Sequence, residues 1–331
     1  MKKTIFITGA NGFLGSRIVK AALKKKYIVK AFVRKDSDLE NIKNLDIKIC
    51  YGDLRDKDSI EESIKGSNII CHVAADYRLW ARKSSEIYES NVFGTENIIK
   101  AATKFSHEKF LLTSSVATLG TSRDKSIDEK SNANFSSMIG DYKKSKYIAE
   151  KIFFDYVRKK LINGIVLNPS TPIGPGDIKP TPTGRIIFQM LTRSMPAFVE
   201  TGLNFVHVDD VAEGHFLAIK NGKVGERYIL GGENMNFKEF LDKVASFANV
   251  PAPKFKIKTK FLYPLAYLNE LYSRINKYRD PMLTVNGLRM SEELMFFSSE
   301  KAKSQLGYRP RNINNAIKES VIWMKEYFNL K

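Results

Sequence analysis

The stretch Thr8-Gly9-Ala10-Asn11-Gly12-Phe13-Leu14-Gly15 follows the apolar run Ile5-Phe6-Ile7 and leads into a segment with helical apolar spacing. A buried strand, a turn with three glycines and the start of a helix form the entry to a parallel, doubly wound α/β sheet. The glycines permit a tight turn and let backbone N–H groups approach a pyrophosphate, while the helix N-terminus adds partial positive charge. The spacing is G-x-x-G-x-x-G rather than G-x-G-x-x-G, so the strand–turn–helix context carries the assignment. Gly9, Asn11, Gly12, Phe13, Leu14 and Gly15 are therefore expected to hold a dinucleotide.

Outward from this turn, strands are expected at 4–8, 28–33, 47–51, 69–73, 109–114 and 164–168, with helices over 13–24, 59–65, 87–104 and 138–160. That alternation predicts a parallel sheet covered on both faces. After Asn168 the texture changes. Pro169, Pro172, Gly174, Pro175, Gly176, Pro180 and Pro182 predict a long irregular connection. A strand at 204–208, a helix at 209–220 and a strand at 227–230 follow, and the chain beyond about 236 reads as mainly helical. The expected division is a nucleotide-binding domain of 1–170 plus about 204–232, and a discontinuous substrate lobe of about 171–203 plus 233–331. The stretch 261–278 is rich in Leu, Tyr and Phe. It is expected to pack as an amphipathic helix on the lobe's core, the alternatives being a substrate-pocket wall or a membrane contact.

Composition narrows the function classes. The chain of 331 residues is 43% hydrophobic and 27% charged, ordinary for a folded soluble protein. No apolar run is long enough to span a bilayer, and Gly9 cuts short the run after Lys2-Lys3 that superficially resembles a signal peptide. Cys50 and Cys71 read as reduced buried thiols of a cytoplasmic protein. His72, His107, His207 and His215 show no metal-ligand spacing, so no metal site is expected, and His207 reads as a satisfied histidine at the lobe junction. The net charge of +18 is spread through nearly every segment rather than concentrated beside stacking aromatics, which argues against nucleic acid. Attraction to an anionic substrate, or to the inner face of a membrane, suits it better.

Two further positions carry chemistry. Arg34 closes the second strand, where an acidic residue would bind the ribose 2′-hydroxyl of NAD and an arginine pairs with the 2′-phosphate of NADP. NADP(H) is therefore expected ahead of NAD(H), with Lys35 adding charge and Asp36 a competing carboxylate. Asp53 and Leu54, after the third strand, are placed to meet the adenine. Tyr142 and Lys146 in Tyr142-Lys143-Lys144-Ser145-Lys146 are i and i+4, on one face of a helix. A tyrosine of pKa about 10 is a poor acid at neutral pH, and a neighbouring ammonium lowers that value. Ser115, after Leu111-Leu112-Thr113-Ser114, is the candidate to polarise a substrate oxygen.

These residues resemble the extended short-chain dehydrogenase/reductase family over nearly the whole chain. Its glycine motif matches Gly9, Gly12 and Gly15, and its Y-x-x-x-K matches Tyr142 and Lys146. Val73-Ala74-Ala75 is similar to its cofactor turn, and Asn91 stands where it has an asparagine supporting the site. Ser115 before Val116-Ala117-Thr118-Leu119-Gly120 matches its catalytic serine or threonine, with Ser114 the alternative register. The resemblance extends cofactor contacts to Thr113, Asn168, Pro169 and Thr171, and implies a Rossmann fold, often dimeric. Within the family, His72–Trp80, Asn168–Asp177, Leu203–His215 and Tyr228–Asn234 are most similar to dihydroflavonol-4-reductase-like proteins, and among those to bacterial hopanoid-associated sugar epimerases. Nucleotide-sugar epimerases carry R-x-x-N-x-Y-G-P after the sixth strand. The stretch Val166–Pro175 lacks that arginine and tyrosine, which leans towards carbonyl reduction.

The leading expectation is thus an NADP(H)-dependent reductase of an aldehyde or ketone acting through Ser115, Tyr142 and Lys146. Tyr77, Arg78 and Trp80 would form one wall of the substrate pocket. The alternatives are a sugar epimerase or dehydratase that retains its cofactor, and a non-catalytic cofactor sensor.

Overall fold

The computed structural model describes residues 2–122, 125–131, 133–276 and 281–330. Seven parallel strands make the central sheet: β1 (Thr4–Thr8), β2 (Ile28–Val33), β3 (Lys48–Tyr51), β4 (Ile69–His72), β5 (Lys109–Thr113), β6 (Gly164–Pro169) and β10 (Arg227–Leu230). Their order is β10-β6-β5-β4-β1-β2-β3, so the sheet winds outward in both directions from β1. Every residue of β4 and β6 is buried, because helices cover both faces and leave no solvated side to alternate against. In β1, Ile5 and Ile7 enter one core cluster while Phe6 enters the opposite one, as the strand period of two requires. Helix α1 (Phe13–Lys24) lies on the first face, and α2 (Lys57–Ile64), α4 (Gly94–Ala102) and α5 (Gly140–Arg158) lie on the second.

The helix expected over 87–104 is three consecutive pieces: α3 (Ser84–Tyr88), a π-helical turn Glu89–Phe93, and α4. The widened turn contains Asn91, whose side chain is engaged from both sides, as described below. Local apolar spacing does not register such a change of hydrogen-bond step.

The connection after β6 is more regular than its prolines suggest. It contains β7 (Thr171–Ile173) and then α6 (Pro182–Leu191), which Thr181 caps through its hydroxyl. A second sheet joins β7 and β9 (Gly202–His207) in parallel, with β11 (Glu233–Asn236) antiparallel on the other side of β9. Short strands β8 (Ala197–Phe198) and β12 (Phe255–Lys256) pair separately, and β13 (Leu294–Met295) adds to β9. Helices α6, α8 (Phe237–Ala248) and α12 (Ile313–Tyr327) close a distinct core on this sheet, centred on Phe205 stacked 4.1 Å from Phe240. Helix α7 (Val208–Asn221) returns from β9 to pack on α1, and α11 (Glu300–Leu306) packs behind it.

One expectation is reversed. Helix α9 (Tyr263–Ile275) and the short α10 (Val285–Ser291) pack together, but α9 buries only Ala266 and Ser273 and turns most of its large apolar residues outward. Lys277 and Tyr278, at the end of the stretch assigned from sequence, lie outside the described residues.

Candidate active site

The strand order reverses between β1 and β4, and the crevice beyond their C-terminal ends is where open parallel sheets bind ligands. The glycine turn lies at that point. Gly9 has φ +63°, and a Cβ there would sit 2.8 Å from the Ala74 Cα in the turn after β4. A Cβ on Gly15 would lie 2.0 Å from the Gly9 carbonyl oxygen. These two glycines are thus required by packing. Gly12 is different: it is exposed, and its added Cβ would meet only the Gly9 carbonyl, at 3.2 Å. What its missing side chain leaves open is approach from outside. It caps α1 by backbone alone, with no side-chain acceptor and no acidic residue in the first turn. The first N–H groups of α1, around Phe13 and Leu14, therefore remain for a phosphate, and the cradle fits a dinucleotide. Asn11 donates to the Asp38 carbonyl (2.9 Å), and Asn41 ties the turn to Gly176 beyond β7 (3.0 Å).

The turn after β4 is fixed by a hydrogen-bond chain that motif reading did not find. The Thr8 hydroxyl accepts from the backbone N–H groups of Val73 and Ala74, both at 3.1 Å, and lies 2.8 Å from Nδ1 of His72. His72 Nε2 is 2.9 Å from the Thr95 hydroxyl, which donates to the Asn91 carbonyl. Burial, reinforced by the Lys146 charge, pushes the His72 pKa down to about 3, so the ring is neutral. Donation by Thr95 leaves its oxygen to accept from Nε2–H, and Nδ1 accepts from Thr8. The ring thereby links β1, β4 and α4 beneath Val73–Ala75. Asn91 continues the chain: its side chain brackets the backbone of Asp76 and donates to Ser145 of α5. Its two polar groups are committed to protein, so its contribution is to join the turn after β4 to the helix of Tyr142.

At the end of β2, Arg34 is exposed and makes no side-chain hydrogen bond or ion pair among the described residues. Arg55 grips the Asp53 carboxylate at 2.9 and 2.8 Å, and this pairing, aided by Arg34, holds that carboxyl below its usual range. Leu54 lies under Gly94 at the start of α4.

Tyr142, half-buried near the start of α5, meets the Ser115 side chain. Burial raises the phenol's pKa and the Ser115 hydrogen bond opposes that rise. Ser115 is held by the Ala117 N–H at the head of a 3-10 turn, whereas the Ser114 hydroxyl is buried against Glu150. Ser115 is therefore the serine presented to the tyrosine. Lys146 is buried one turn beyond Tyr142, its ammonium donating to the Thr113 carbonyl at 2.8 Å. Burial lowers its pKa to about 8, partly countered by Glu150. The Thr113 hydroxyl pairs with His215, itself buried and neutral with a pKa near 4. The strand end below the Ser115 turn is thus pinned on both sides.

Glu150 escaped the sequence reading. One carboxylate oxygen accepts from Ser114, Thr118 (2.9 Å) and Asn168 (3.1 Å), and the other pairs with Arg227 at 3.1 Å. The signal was present, since Glu150 is i+4 from Lys146, but a charged residue on an amphipathic helix reads as solvated. Asn168 also donates to the Ser115 carbonyl at 2.9 Å, so its side chain lies beneath the serine rather than in the cradle. Pro169 closes β6 and Thr171 opens β7 at the rim. Lys143 is buried beside Tyr142, close enough to Glu293 to feel its charge. Of the expected pocket wall, Tyr77 is exposed and near Asp177 and Arg185, Trp80 is half-buried, and Arg78 is locked to Asp76 and Glu86. His207 ends β9 and caps α7, its ring accepting from the Asp209 N–H and meeting Glu319 at 3.1 Å.

The model of the NAD dependent epimerase/dehydratase family matches residues 5–231, the cradle and the Tyr–Lys helix included. The chain belongs to that family. This member of the extended short-chain dehydrogenases is 38% identical over 337 residues to a Synechocystis sp. protein named for dihydroflavonol 4-reductase, covering 100% of this chain and 97% of that one. It is 28% identical to sterol demethylase protein B of Methylococcus capsulatus, with 98% of each covered, and 27% identical to cinnamoyl-CoA reductase 2 of Medicago truncatula, with 78% and 79% covered. The crystal structure of gox2253 matches the family member at a TM-score of 0.89 and 44% identity over 100% of both chains. A UDP-glucose 4-epimerase of Thermotoga maritima reaches 0.81 at 18% identity, over 98% and 99%, and shares the fold. The family member is thus an oxidoreductase built to use a nicotinamide cofactor.

Proposed function

We propose that the protein reduces an aldehyde or ketone with NADP(H), Tyr142 supplying the proton. The observation that carries this reading is the meeting of Tyr142 and Ser115 above the end of β5, with the Lys146 ammonium one turn away on the Thr113 carbonyl. Relatives matched across most of their length and named as reductases support reduction ahead of epimerisation. The cofactor, held by the glycine turn and the rim of β4, supplies the hydride. Ser115 donates a hydrogen bond to the carbonyl oxygen and orients it. Tyr142 transfers its phenolic proton to that oxygen as negative charge develops. Lys146 stabilises the resulting phenolate and is placed to hold a ribose hydroxyl.

The direct test supplies purified protein with NADPH or NADH and a panel of aldehydes and ketones, following loss of reduced cofactor. Turnover with NADPH is expected. Tightly retained NAD and turnover of a sugar-like substrate without added reductant would instead establish the epimerase or dehydratase reading.

Arg34 supports NADP(H), because a guanidinium at the end of β2 with no side-chain partner among the described residues matches a 2′-phosphate in charge and bidentate geometry. Arg34→Glu is expected to raise KM for NADPH by about 10- to 100-fold, the weight of one or two charge-assisted hydrogen bonds. KM for NADH should change little. An unchanged ratio of the two would remove Arg34 from cofactor selection.

Lys146 sets an alkaline limit. The free enzyme loses this ammonium as pH rises through about 8, and the phenolate then lacks the cation one turn away on α5. We expect kcat/KM for reduction to be level below that pH and to fall above it. A profile level to pH 10 would show that Lys146 keeps its proton.

A further inference from the structure

Helix α9 is amphipathic in reverse. Phe261 just before it, then Leu265, Leu268, Tyr272 and Ile275, repeat at helical spacing, and all five are more than half exposed. The only fully buried residues of α9 are small, Ala266 and Ser273, and Ala266 joins Tyr263 at the head of the helix in a satellite cluster with Leu262, Leu283, Val285 and Leu288. Single exposed apolar residues are ordinary on a soluble protein, whereas a continuous stripe along four helical turns marks a contact surface.

The charge beside the stripe says what kind. The segment leading into it carries Lys254, Lys256, Lys258 and Lys260, every second residue and all exposed. Lys260 lies over the Phe261 ring at 5.1 Å, so the basic ridge and the apolar stripe adjoin. Of the acidic residues nearby, Glu200 pairs with Lys256 at 2.5 Å, Glu270 accepts from the Val285 N–H, and Glu292 from the Thr259 and Tyr263 hydroxyls, which leaves Lys254, Lys258 and Lys260 without an acidic partner among the described residues. A second copy meeting this face about a two-fold axis would set one lysine ridge against another or leave both exposed. Apolar anchors bordered by lysines match an anionic bilayer, where acyl chains take the stripe and headgroups the ammonium groups.

The position of the stripe gives the contact a use. Arg82, in the loop following the expected pocket wall, donates to the Asn276 carbonyl at the end of α9 (2.6 Å), and Asn286 of α10 packs on Gly140 at the head of the Tyr142 helix. The end of the stripe thus lies beside the loop that follows the expected pocket wall. We infer that the α9 stripe and the 254–260 lysine ridge dock the protein on an anionic membrane surface and turn its substrate cleft towards the lipid. This inference does not rest on the reductase reading.

The test is co-sedimentation of the full chain with phosphatidylcholine vesicles, with and without phosphatidylglycerol, and needs no turnover. Binding is expected only with phosphatidylglycerol present, and high salt should release it. Leu268→Asp with Ile275→Asp should weaken partitioning at least about tenfold, since both side chains would otherwise enter the acyl boundary. Lys254→Glu with Lys258→Glu should weaken it while leaving the stripe intact. Both variants should keep the wild-type melting temperature and cofactor binding. Failure to bind anionic vesicles, or equal binding by the Leu268/Ile275 variant, would overturn the inference. So would a wild-type dimer that this variant converts to monomer in the absence of any vesicle binding.

Discussion

Tyr142→Phe is expected to lower the turnover of carbonyl reduction by about 10²- to 10⁴-fold, the range lost when a positioned proton donor is removed. The substitution deletes one oxygen and keeps the ring, so α5 and the surrounding core should hold. Three readouts separate this from a structural effect. The melting temperature should be unchanged, NADPH affinity should change little, and the loss should appear in kcat rather than KM. The surviving Ser115 and Lys146 would still orient the carbonyl, which is why a residual rate above solution is expected. Activity within a few-fold of wild type would move the proton donor elsewhere in the site and remove the central element of the proposed mechanism.

The second large effect concerns stability. Glu150→Ala should destabilise the protein by about 3 kcal/mol, because it breaks a buried pair and strips three donors of their acceptor. The figure lies at the lower end for such a pair because Arg227 keeps some water contact, its side chain being 28% exposed. Urea unfolding checks it through a lower midpoint. Glu150→Gln separates packing from charge. It keeps an acceptor for Ser114, Thr118 and Asn168 but removes the negative charge that supports the Lys146 ammonium. The alkaline limb of kcat/KM should then begin below pH 8. A limb that stays in place would confine Glu150 to a structural role.

These two residues show unequal legibility in the chain. Tyr142 could be read because its helix spacing to Lys146 is local and its chemistry specific. Glu150 has equally good spacing, yet its meaning depends on Ser114 and Thr118 after β5, Asn168 in β6 and Arg227 in β10, which converge only when those strands lie side by side. The same holds for His72: a lone histidine in an apolar run carries no pattern, and its link from Thr8 to Thr95 exists only across paired strands. Asn91 could be singled out only by its resemblance to a family position, while the π-helical turn that presents it follows from contacts on both of its flanks. Helix α9 was misread for a related reason. Apolar spacing establishes that a helix has an apolar side, and neighbours decide whether that side is covered.

By itself the sequence determined the parallel alternation of strands and helices, the glycine turn at the head of α1 and the Tyr142–Lys146 pair. Each is set by local backbone freedom, side-chain period or spacing within one helix, which act over a few residues. The tertiary structure alone decided which serine meets the tyrosine, what anchors Lys146, how His72 and Glu150 connect distant strands, and that α9 faces outward. Those outcomes depend on distances between segments far apart in the chain, and burial shifts their charges only after the segments have met.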